Sequence, residues 1–277
     1  MTYLMSVILG FVQGVAEFLP ISSSGHLSIL QNFFGMEEPD NLFNVLLHFA
    51  TLLAVFIAYR RDIAEMIVEF FRGVGALASR NRSSQPVPPA RRLVMMIILG
   101  TLPLFLVVPV QDKVEAMGAS NLFVGLALLA TGIILFFSDR MARGHKTART
   151  ATVVDALLVG CAQAVAVIPG LSRSGSTIAA GMALGFDRNF AVRFSFLLSM
   201  PAVLGATLLK VIDVAQEGTV DPAVLPIYLV GMVVAGVVGY FSIQLVKLLA
   251  QKDKFGKFAY YCWAVGLITI VASFIMK

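Results

Sequence analysis

Long apolar runs make up most of the chain, and short polar clusters separate them. A helix that spans a membrane needs about 20 mostly apolar residues. Six runs meet that length, and each predicts a transmembrane helix. They lie at 42–59, 92–110, 120–138, 189–212, 223–246 and 257–276.

Two further apolar stretches, 4–33 and 151–185, are interrupted halfway by a polar cluster. The interruptions read LPISSSGH at 19–26 and PGLSRSGST at 169–177. Lipid cannot satisfy backbone that leaves a helix, so such a break is tolerated only where protein or a wet cavity surrounds it. Each stretch is therefore predicted to be a re-entrant hairpin of two short helices that enters and leaves on one side.

Composition supports this interpretation. Of 277 residues, 21 are basic and 16 acidic, or 13% charged, whereas 58% are hydrophobic. Soluble domains carry roughly 25% charged residues, which excludes disorder and an ordinary soluble enzyme. The net charge of +5 does not indicate nucleic acid as a partner here. The basic residues lie between apolar runs, where they set orientation and meet lipid headgroups.

The basic residues cluster in the loops 60–92, 139–150 and 247–257. All three loops fall on one face only if both broken stretches are hairpins rather than spans. Basic loops stay in the cytoplasm, which predicts a protein of the cell membrane with both termini outside. Within the first loop, RRDIAEMIVEFFRGV predicts an interfacial amphipathic helix, and SRNRSSQPVPPARR a flexible linker.

The two broken stretches repeat each other at a constant displacement of 150 residues. The identities in the first are Gly10, Gln13, Ala16, Ser22, Ser24 and Gly25, and in the second Gly160, Gln163, Ala166, Ser172, Ser174 and Gly175. The chain is thus predicted to be one membrane domain, 1–277, made of the repeats 1–138 and 151–277. Each repeat has one hairpin and three spans, so the second must be inverted, and the two polar turns can meet.

Ionisable groups inside a membrane favour a functional interpretation, and the turns bring together Glu17, His26 and Arg173. A guanidinium fork beside a helix N-terminus is typical of a phosphate site. Glu17 shares a helix face with Gln13 and can hold a hard cation, and His26 can act as acid or base. The Glu–Arg pair could instead only hold the fold together.

Other polar residues in apolar runs receive structural interpretations. His48 is expected to be a satisfied core histidine, and Asp155 to favour a helix dipole without chemistry. Cys161 and Cys262 are expected to be small core residues. Gly231, Gly236 and Gly239 are expected to permit close helix packing. The first residues, MTYLMSVILGFVQG, contain no basic region or cleavage site of a removable signal peptide.

The motifs at the two turns resemble a known family. QGVAE matches an (E/Q)-x-x-x-E motif at Gln13 and Glu17, and PGLSRSGST matches P-G-x-S-R-S-x-x-T from Pro169 to Thr177. With FLPISSSGH, the chain over nearly its whole length resembles the undecaprenyl-diphosphate phosphatase family, the bacitracin-resistance proteins. The resemblance implies removal of the terminal phosphate from the C55 isoprenoid diphosphate that carries cell-wall precursors. It also implies an active site at the outer face and a requirement for Mg²⁺ or Ca²⁺.

The expected mechanism combines the motifs with the chemistry of phosphoryl transfer. Glu17, assisted by Gln13, would position the cation. Ser23 activated by His26 is the first candidate for the nucleophile, and a water activated by His26, or His26 itself, are the alternatives. Arg173 is expected to be catalytic by stabilising charge on the phosphate oxygens. The substrate-binding residues would be Gln13, Ser22, Ser24, Ser172, Ser174 and Thr177.

Two rival functions use the same features. Inverted repeats also suit a transporter of phosphorylated isoprenoid lipids, which would need the anion clamp but no nucleophile. The other membrane phosphatase superfamily shares fragments such as SSSGH, but no His or Asp follows Arg173 at the spacing that superfamily requires. The expected partners are the lipid substrate, the membrane lipids and, in a homodimer, a second copy of the chain.

Overall fold

The computed structural model describes residues 1–36, 41–78, 86–141, 144–217, 222–252 and 255–275. These residues form α-helices joined by turns and short 3-10 helices. In chain order the helices are α1 Tyr3–Ala16, α2 Ser23–Phe33, α3 Asn41–Ala58, α4 Arg60–Ala78, α5 Pro89–Thr101, α6 Gln111–Ala116, α7 Asn121–Ser138, α8 Val153–Val165, α9 Arg173–Ala183, α10 Arg188–Glu217, α11 Leu225–Gln251 and α12 Lys257–Ile275.

Five helical runs of the described chain are long and apolar enough to cross a membrane. They are Pro89–Ala119, Asn121–Ser138, Arg188–Asp213, Pro222–Gln251 and Lys257–Ile275. A sixth qualifies when Leu42–Ala58 is taken together with Arg60–Ala76, from which it is bent by 84°. The chain is therefore a multi-pass membrane protein. The sharp bend places the predicted amphipathic stretch in α4, as a helix distinct from α3.

The span predicted at 92–110 is not one continuous α-helix. The α-helix α5 begins at Pro89 and ends at Thr101, and the chain continues as 3-10 helices at Leu102–Leu106 and Val108–Val110. Pro103 and Pro109 lie in these two segments; proline has no N–H group and clashes with the preceding helical turn. The predicted linker lies partly outside the described residues, at 79–85, and its last four residues are helical in α5.

Both interrupted stretches are pairs of short helices, broken at the predicted turns. Helices α1 and α2 have 14 and 11 residues, and α8 and α9 have 13 and 11. At 1.5 Å per residue each helix is at most about 21 Å long, too short for a hydrocarbon core of about 30 Å. Asp155 forms a capping box with Thr152 at the start of α8 and accepts a hydrogen bond from Lys146 Nζ at 2.9 Å, which agrees with its predicted structural role.

Glycines let the first helix of each hairpin pack directly on a backbone from the other half of the chain. Helix α1 lies along α11 and α8 lies along α5. A Cβ added at Gly10 would overlap the carbonyl oxygen of Gly231, and a Cβ added at Gly160 would overlap that of Gly100. The packing role predicted for the glycines of α11 is confirmed, since a Cβ at Gly239 would lie 2.9 Å from the ring of Phe18.

The prediction that both cysteines are core residues is correct for one of them and wrong for the other. Cys262 is buried, whereas Cys161 is exposed on the surface of the helix bundle. In a membrane protein the surface that meets lipid is as apolar as the core, so an apolar neighbourhood in sequence does not distinguish the two.

Replacing Gly160 by Ala should lower the thermal midpoint of the detergent-solubilised protein, because the new methyl group must push α8 away from the backbone of α5. An overpacked contact of this kind costs about 1–3 kcal/mol. The matched control is Gly75→Ala in α4, where a Cβ has no atom of the described residues within 4 Å. An unchanged midpoint for Gly160→Ala beside an unchanged control would contradict the close packing of α8 on α5.

Candidate functional site

The two polar turns meet, as the repeat predicts. The Gly170 N–H donates a hydrogen bond to Ser24 Oγ at 3.4 Å, and Ser174 Oγ donates to the Leu19 carbonyl at 3.4 Å. A Cβ on Gly25 would lie 3.0 Å from the Cα atom of Gly170. Residues about 150 positions apart in sequence thus form one contact surface.

Each turn is closed by a serine that caps the following helix in the same way. Ser22 Oγ accepts from the Gly25 N–H at 3.2 Å, and Ser172 Oγ accepts from the Gly175 N–H at 3.0 Å. The hydroxyl two residues further on approaches each cap, with Ser22 Oγ and Ser24 Oγ 3.4 Å apart and Ser172 Oγ and Ser174 Oγ 3.3 Å apart. The N-termini of α2 and α9, which favour anions, therefore come together at one place.

The two turns differ in backbone strain. Ser22 has φ +72°, in the left-handed region that costs a residue with a side chain about 1–2 kcal/mol, whereas Ser172 has φ −77°. Gly170 has φ +95° in the second turn, where glycine has no such cost. Strain at Ser22 must be offset by surrounding contacts, and positions of this kind concentrate at functional sites.

Thr131 on α7 fixes the second turn, a role that the sequence analysis did not assign. Its Oγ1 donates to the Gly170 carbonyl at 3.0 Å and accepts from the Ser172 N–H at 3.1 Å. Both backbone groups are buried, and an unsatisfied buried group would cost about 1–3 kcal/mol. A single hydroxyl thereby supports the turn that carries Arg173.

Glu17 is the centre of the site. It follows α1, is 7% exposed, and its Oε1 forms an ion pair with Arg173 Nη2. Its Oε2 accepts hydrogen bonds from Ser23 Oγ at 2.7 Å and from Gln13 Nε2 at 3.0 Å. Four residues predicted to share a site are therefore in direct contact through one carboxylate.

Arg173, the first residue of α9, connects this carboxylate to an open cavity. Its side chain is 23% exposed and lines the cavity. An arginine has five N–H donors in a planar fork, of which the ion pair with Glu17 uses one. The guanidinium can therefore hold Glu17 and bind an anion in the cavity at the same time.

The cavity has a polar floor and apolar walls. Its volume is about 390 Å³, within the usual range for a ligand pocket. The floor is formed by the residues of the two turns, namely Glu17, Ser23, Ser24, Ser172, Arg173 and Ser174. The walls come mainly from α10 and from the run that follows α5, and include Leu104, Phe105, Val108, Ala202, Val203 and Leu209.

The expected pairing of Ser23 with His26 is not formed. Ser23 Oγ donates to Glu17, whereas His26 bonds to the Ser22 carbonyl through Nδ1 at 2.8 Å and to the Tyr261 hydroxyl through Nε2 at 2.9 Å. The rings of His26 and Tyr261 are stacked with centroids 5.6 Å apart. His26 was expected to activate Ser23, but its two ring nitrogens are occupied by the Ser22 carbonyl and by the Tyr261 hydroxyl on α12.

Thr177 also lies apart from the cavity. It is 1% exposed, and its Oγ1 donates to the Arg173 carbonyl at 2.8 Å and lies 2.6 Å from Ser195 Oγ. The hydroxyl thus braces the first turn of α9 against α10 instead of facing the space where substrate would bind.

Two polar residues of the site were not assigned to it from the sequence. His48 on α3 lines the cavity with its Nε2 atom 3.4 Å from Glu17 Oε2, although it was interpreted as a core histidine. Gln163 lines the same cavity and is 1% exposed, and within the described part of the chain neither its Oε1 nor its Nε2 has a hydrogen-bond partner. Gln163 could have been assigned from the repeat, because it is the counterpart of Gln13. His48 could have been assigned because ionisable residues are rare in membrane spans.

Comparison with known proteins gives a consistent result. The family model described as "Bacitracin resistance protein BacA" matches residues 6–268. Similar curated proteins named undecaprenyl-diphosphatase include those of Methanosphaera stadtmanae, 40% identical over 99% of this chain and 99% of the relative, and of Methanobrevibacter smithii, 40% identical over 99% and 98%. A third, from Desulforapulum autotrophicum, is 40% identical over 97% and 98%. The chain belongs to the BacA family of bacitracin resistance proteins.

Proposed function

We propose that this protein is an integral-membrane phosphatase that hydrolyses undecaprenyl diphosphate to undecaprenyl phosphate and inorganic phosphate. It would thereby recycle the lipid carrier of cell-wall precursors and confer resistance to bacitracin. The observation that carries the proposal is the buried contact of Glu17 with Arg173 and Ser23 at the floor of an apolar cavity. The relatives named undecaprenyl-diphosphatase match nearly the whole chain and support the same activity.

The cavity has features that match both parts of this substrate. A diphosphate fits the floor, where Arg173 and the N-termini of α2 and α9 provide N–H donors for its oxygens. An isoprenoid fits the apolar walls, and Leu104, Phe105 and Leu209 are examples of the side chains it would contact. The unpartnered amide of Gln163 offers a further donor and acceptor for the phosphate groups.

The residues at the floor can perform phosphoryl transfer in a defined order. Arg173 and the helix N-termini stabilise the charge on the equatorial oxygens of the terminal phosphate, which is the main task in this reaction. Ser23 Oγ attacks the phosphorus atom, and its proton passes to Glu17 Oε2, which already accepts its hydrogen bond. The bond between the terminal phosphorus and the bridging oxygen breaks, and undecaprenyl phosphate leaves. Water then hydrolyses the phosphoserine and releases inorganic phosphate.

A divalent cation, Mg²⁺ or Ca²⁺, belongs to the proposal. Such an ion would neutralise charge on the phosphate oxygens of the substrate. Glu17 would supply a carboxylate for it, and Gln13 would supply an amide oxygen, since its Oε1 is buried and has no hydrogen-bond partner among the described residues. The described residues include no cluster of three or more His, Cys, Asp or Glu, so the phosphates of the substrate would provide part of the coordination.

The proposed architecture is an inverted repeat of two re-entrant hairpins and six spans in the cell membrane. The basic loops then face the cytoplasm, and both termini lie outside. The matching contacts of Gly10 with Gly231 and of Gly160 with Gly100 support a twofold relation between the halves. In this arrangement the cavity walls belong to the outer ends of α3, α5 and α10, so the site opens to the outer face.

The orientation can be tested with single cysteines in a background without Cys161 and Cys262. A membrane-impermeant maleimide applied to intact cells should label Asp112→Cys but not Arg149→Cys, because these exposed positions lie in loops predicted on opposite sides. Labelling of Arg149→Cys alone would show that the protein has the opposite orientation in the membrane.

The activity itself is tested by release of phosphate from undecaprenyl diphosphate by the detergent-purified protein. Glu17→Gln and Arg173→Lys should each lower the rate by about a hundredfold or more, the usual effect of losing one group that stabilises developing charge. Lysine keeps the charge of Arg173 but cannot reproduce the planar fork. EDTA should also reduce the release to background.

A result of tight lipid binding without phosphate release would contradict the phosphatase and favour a transporter of phosphorylated isoprenoid lipids. Gly75→Ala, remote from the site, serves as the control and should retain full activity.

The nucleophile is identified by rapid quenching with substrate labelled in the terminal phosphate. We expect an acid-stable label on the protein, typical of phosphoserine, that is absent in Ser23→Ala. An acid-labile, alkali-stable label that persists in Ser23→Ala and disappears in His26→Gln would identify His26 as the nucleophile. Incorporation of label into neither variant nor the wild-type protein would favour direct attack by water.

A further inference from the structure

His48 stands in the cavity wall with both ring nitrogens in defined positions. Its Nδ1 lies 2.8 Å from the Asn44 carbonyl oxygen, one turn earlier on α3. Its Nε2 lies 3.4 Å from Glu17 Oε2, and its side chain is 29% exposed. The histidine therefore reaches from one helix to the central carboxylate on another.

The hydrogen bond at Nδ1 determines which atom of the neutral ring carries the lone pair. A carbonyl oxygen can only accept, so Nδ1 must carry the hydrogen, and Nε2 is left as an acceptor. Two acceptors, Nε2 and the carboxylate oxygen, then face each other across 3.4 Å. Such an arrangement is favourable only when a positive species lies between them, which is either a second proton on the ring or a metal ion.

The spacing of the two atoms matches that of neighbouring ligands on one ion. Nitrogen and oxygen ligands bind small divalent cations such as Mg²⁺ and Zn²⁺ at about 2.0–2.2 Å, so ligands at right-angle to tetrahedral positions lie about 2.9–3.5 Å apart. Gln13 lies beside this carboxylate, to which its Nε2 donates a hydrogen bond at 3.0 Å, and its Oε1 is buried with no hydrogen-bond partner among the described residues. Glu17 at the end of α1 and His48 on α3 thus present a carboxylate and an imidazole at one position.

The other groups that contact the Glu17 carboxylate are donors, so among the described residues the Nε2 atom of neutral His48 is the acceptor that faces it. Arg173 occupies the second carboxylate oxygen, Oε1, and Ser23 and Gln13 donate to Oε2. Arg173 already balances the single charge of Glu17. The charge of a further cation would therefore be available to neutralise a bound diphosphate, which carries more than one negative charge.

We propose that His48, through Nε2, is the second protein ligand of the divalent cation, beside Glu17. It provides the ligand that a second carboxylate would provide if residue 13 were glutamate instead of glutamine. This inference rests on the proposed function for the presence of a cation at the site. An imidazole in the ligand set also predicts that the protein binds Mn²⁺ more tightly than Mg²⁺ or Ca²⁺, which prefer oxygen ligands.

The test is pulsed electron paramagnetic resonance of Mn²⁺ bound to the full-length protein in detergent, with methylene diphosphonate as a non-hydrolysable diphosphate. The spectrum should contain modulation from a directly coordinated imidazole nitrogen. His48→Gln should remove that modulation and weaken Mn²⁺ binding by at least about tenfold. His145→Gln, on an exposed loop, and His26→Gln, whose ring faces Tyr261, should both retain the modulation.

A second variant guards against simple misfolding of His48→Gln. Adding a carboxylate in the double variant Gln13→Glu/His48→Gln should restore cation binding without restoring the nitrogen modulation. Modulation that persists in His48→Gln, Mn²⁺ bound to the wild-type protein without nitrogen modulation, or no Mn²⁺ bound at all would each overturn the inference. If the protein binds Mn²⁺ through His48 but releases no phosphate from undecaprenyl diphosphate, the inference about His48 holds and the proposed phosphatase function is wrong.

Discussion

The ion pair of Glu17 with Arg173 is the interaction on which the site depends. The two residues come from hairpins in different halves of the chain, and each would be an unpaired charge among apolar helices without the other. Removing one partner of a buried pair costs about 3–5 kcal/mol, because the remaining charge is left uncompensated. The pair therefore keeps the two turns in contact, and it sets the guanidinium and the carboxylate at the floor of the same cavity. The atoms that hold the two turns together are therefore the atoms proposed to act on the substrate.

Backbone hydrogen bonding explains why both turns occur inside the protein and not at its surface. Each break in a helix frees N–H and C=O groups that lipid cannot satisfy. Ser22 and Ser172 satisfy donors at the starts of α2 and α9, and Thr131 satisfies one group on each side of Leu171. Close approach of helices through Gly10 and Gly160 excludes lipid from the hairpins. The same capping leaves helix N-termini together, which is the electrostatic environment that a diphosphate requires.

Much of this arrangement follows from the sequence, because apolar length, helix breaks and the repeat are strong signals. The positions of both turns and the contact of Glu17 with Arg173 were predicted from these signals and are observed. The direction of the His26 ring was not predictable, since its partner Tyr261 is 235 residues away on α12. Cys161 was misplaced because hydropathy is the same for lipid-facing and buried positions. The bend before α4 lies where the sequence predicts the end of a span and the start of an amphipathic helix, and only its angle of 84° is new.

His48 illustrates a different limit. In sequence it is one polar residue in the apolar run LLHFATLL, a setting in which a histidine bonded to the preceding turn is the usual outcome. The bond from Nδ1 to Asn44 is that outcome, and it leaves the second nitrogen directed at a carboxylate from another helix. Only the packing of α3 against α1 could reveal this second contact. Gln163 was detectable in principle, because the repeat relates it to Gln13, but its lack of a partner is a property of the folded chain.

The central claim is that the two turns form one diphosphate site. The most direct measurement is an experimental structure of the protein with a non-hydrolysable methylene analogue of undecaprenyl diphosphate. The account predicts the terminal phosphorus between the Arg173 guanidinium and Ser23 Oγ, with the isoprenoid along the walls that include Phe105 and Leu209. A diphosphate bound away from Arg173, or turns that separate when the analogue binds, would contradict it.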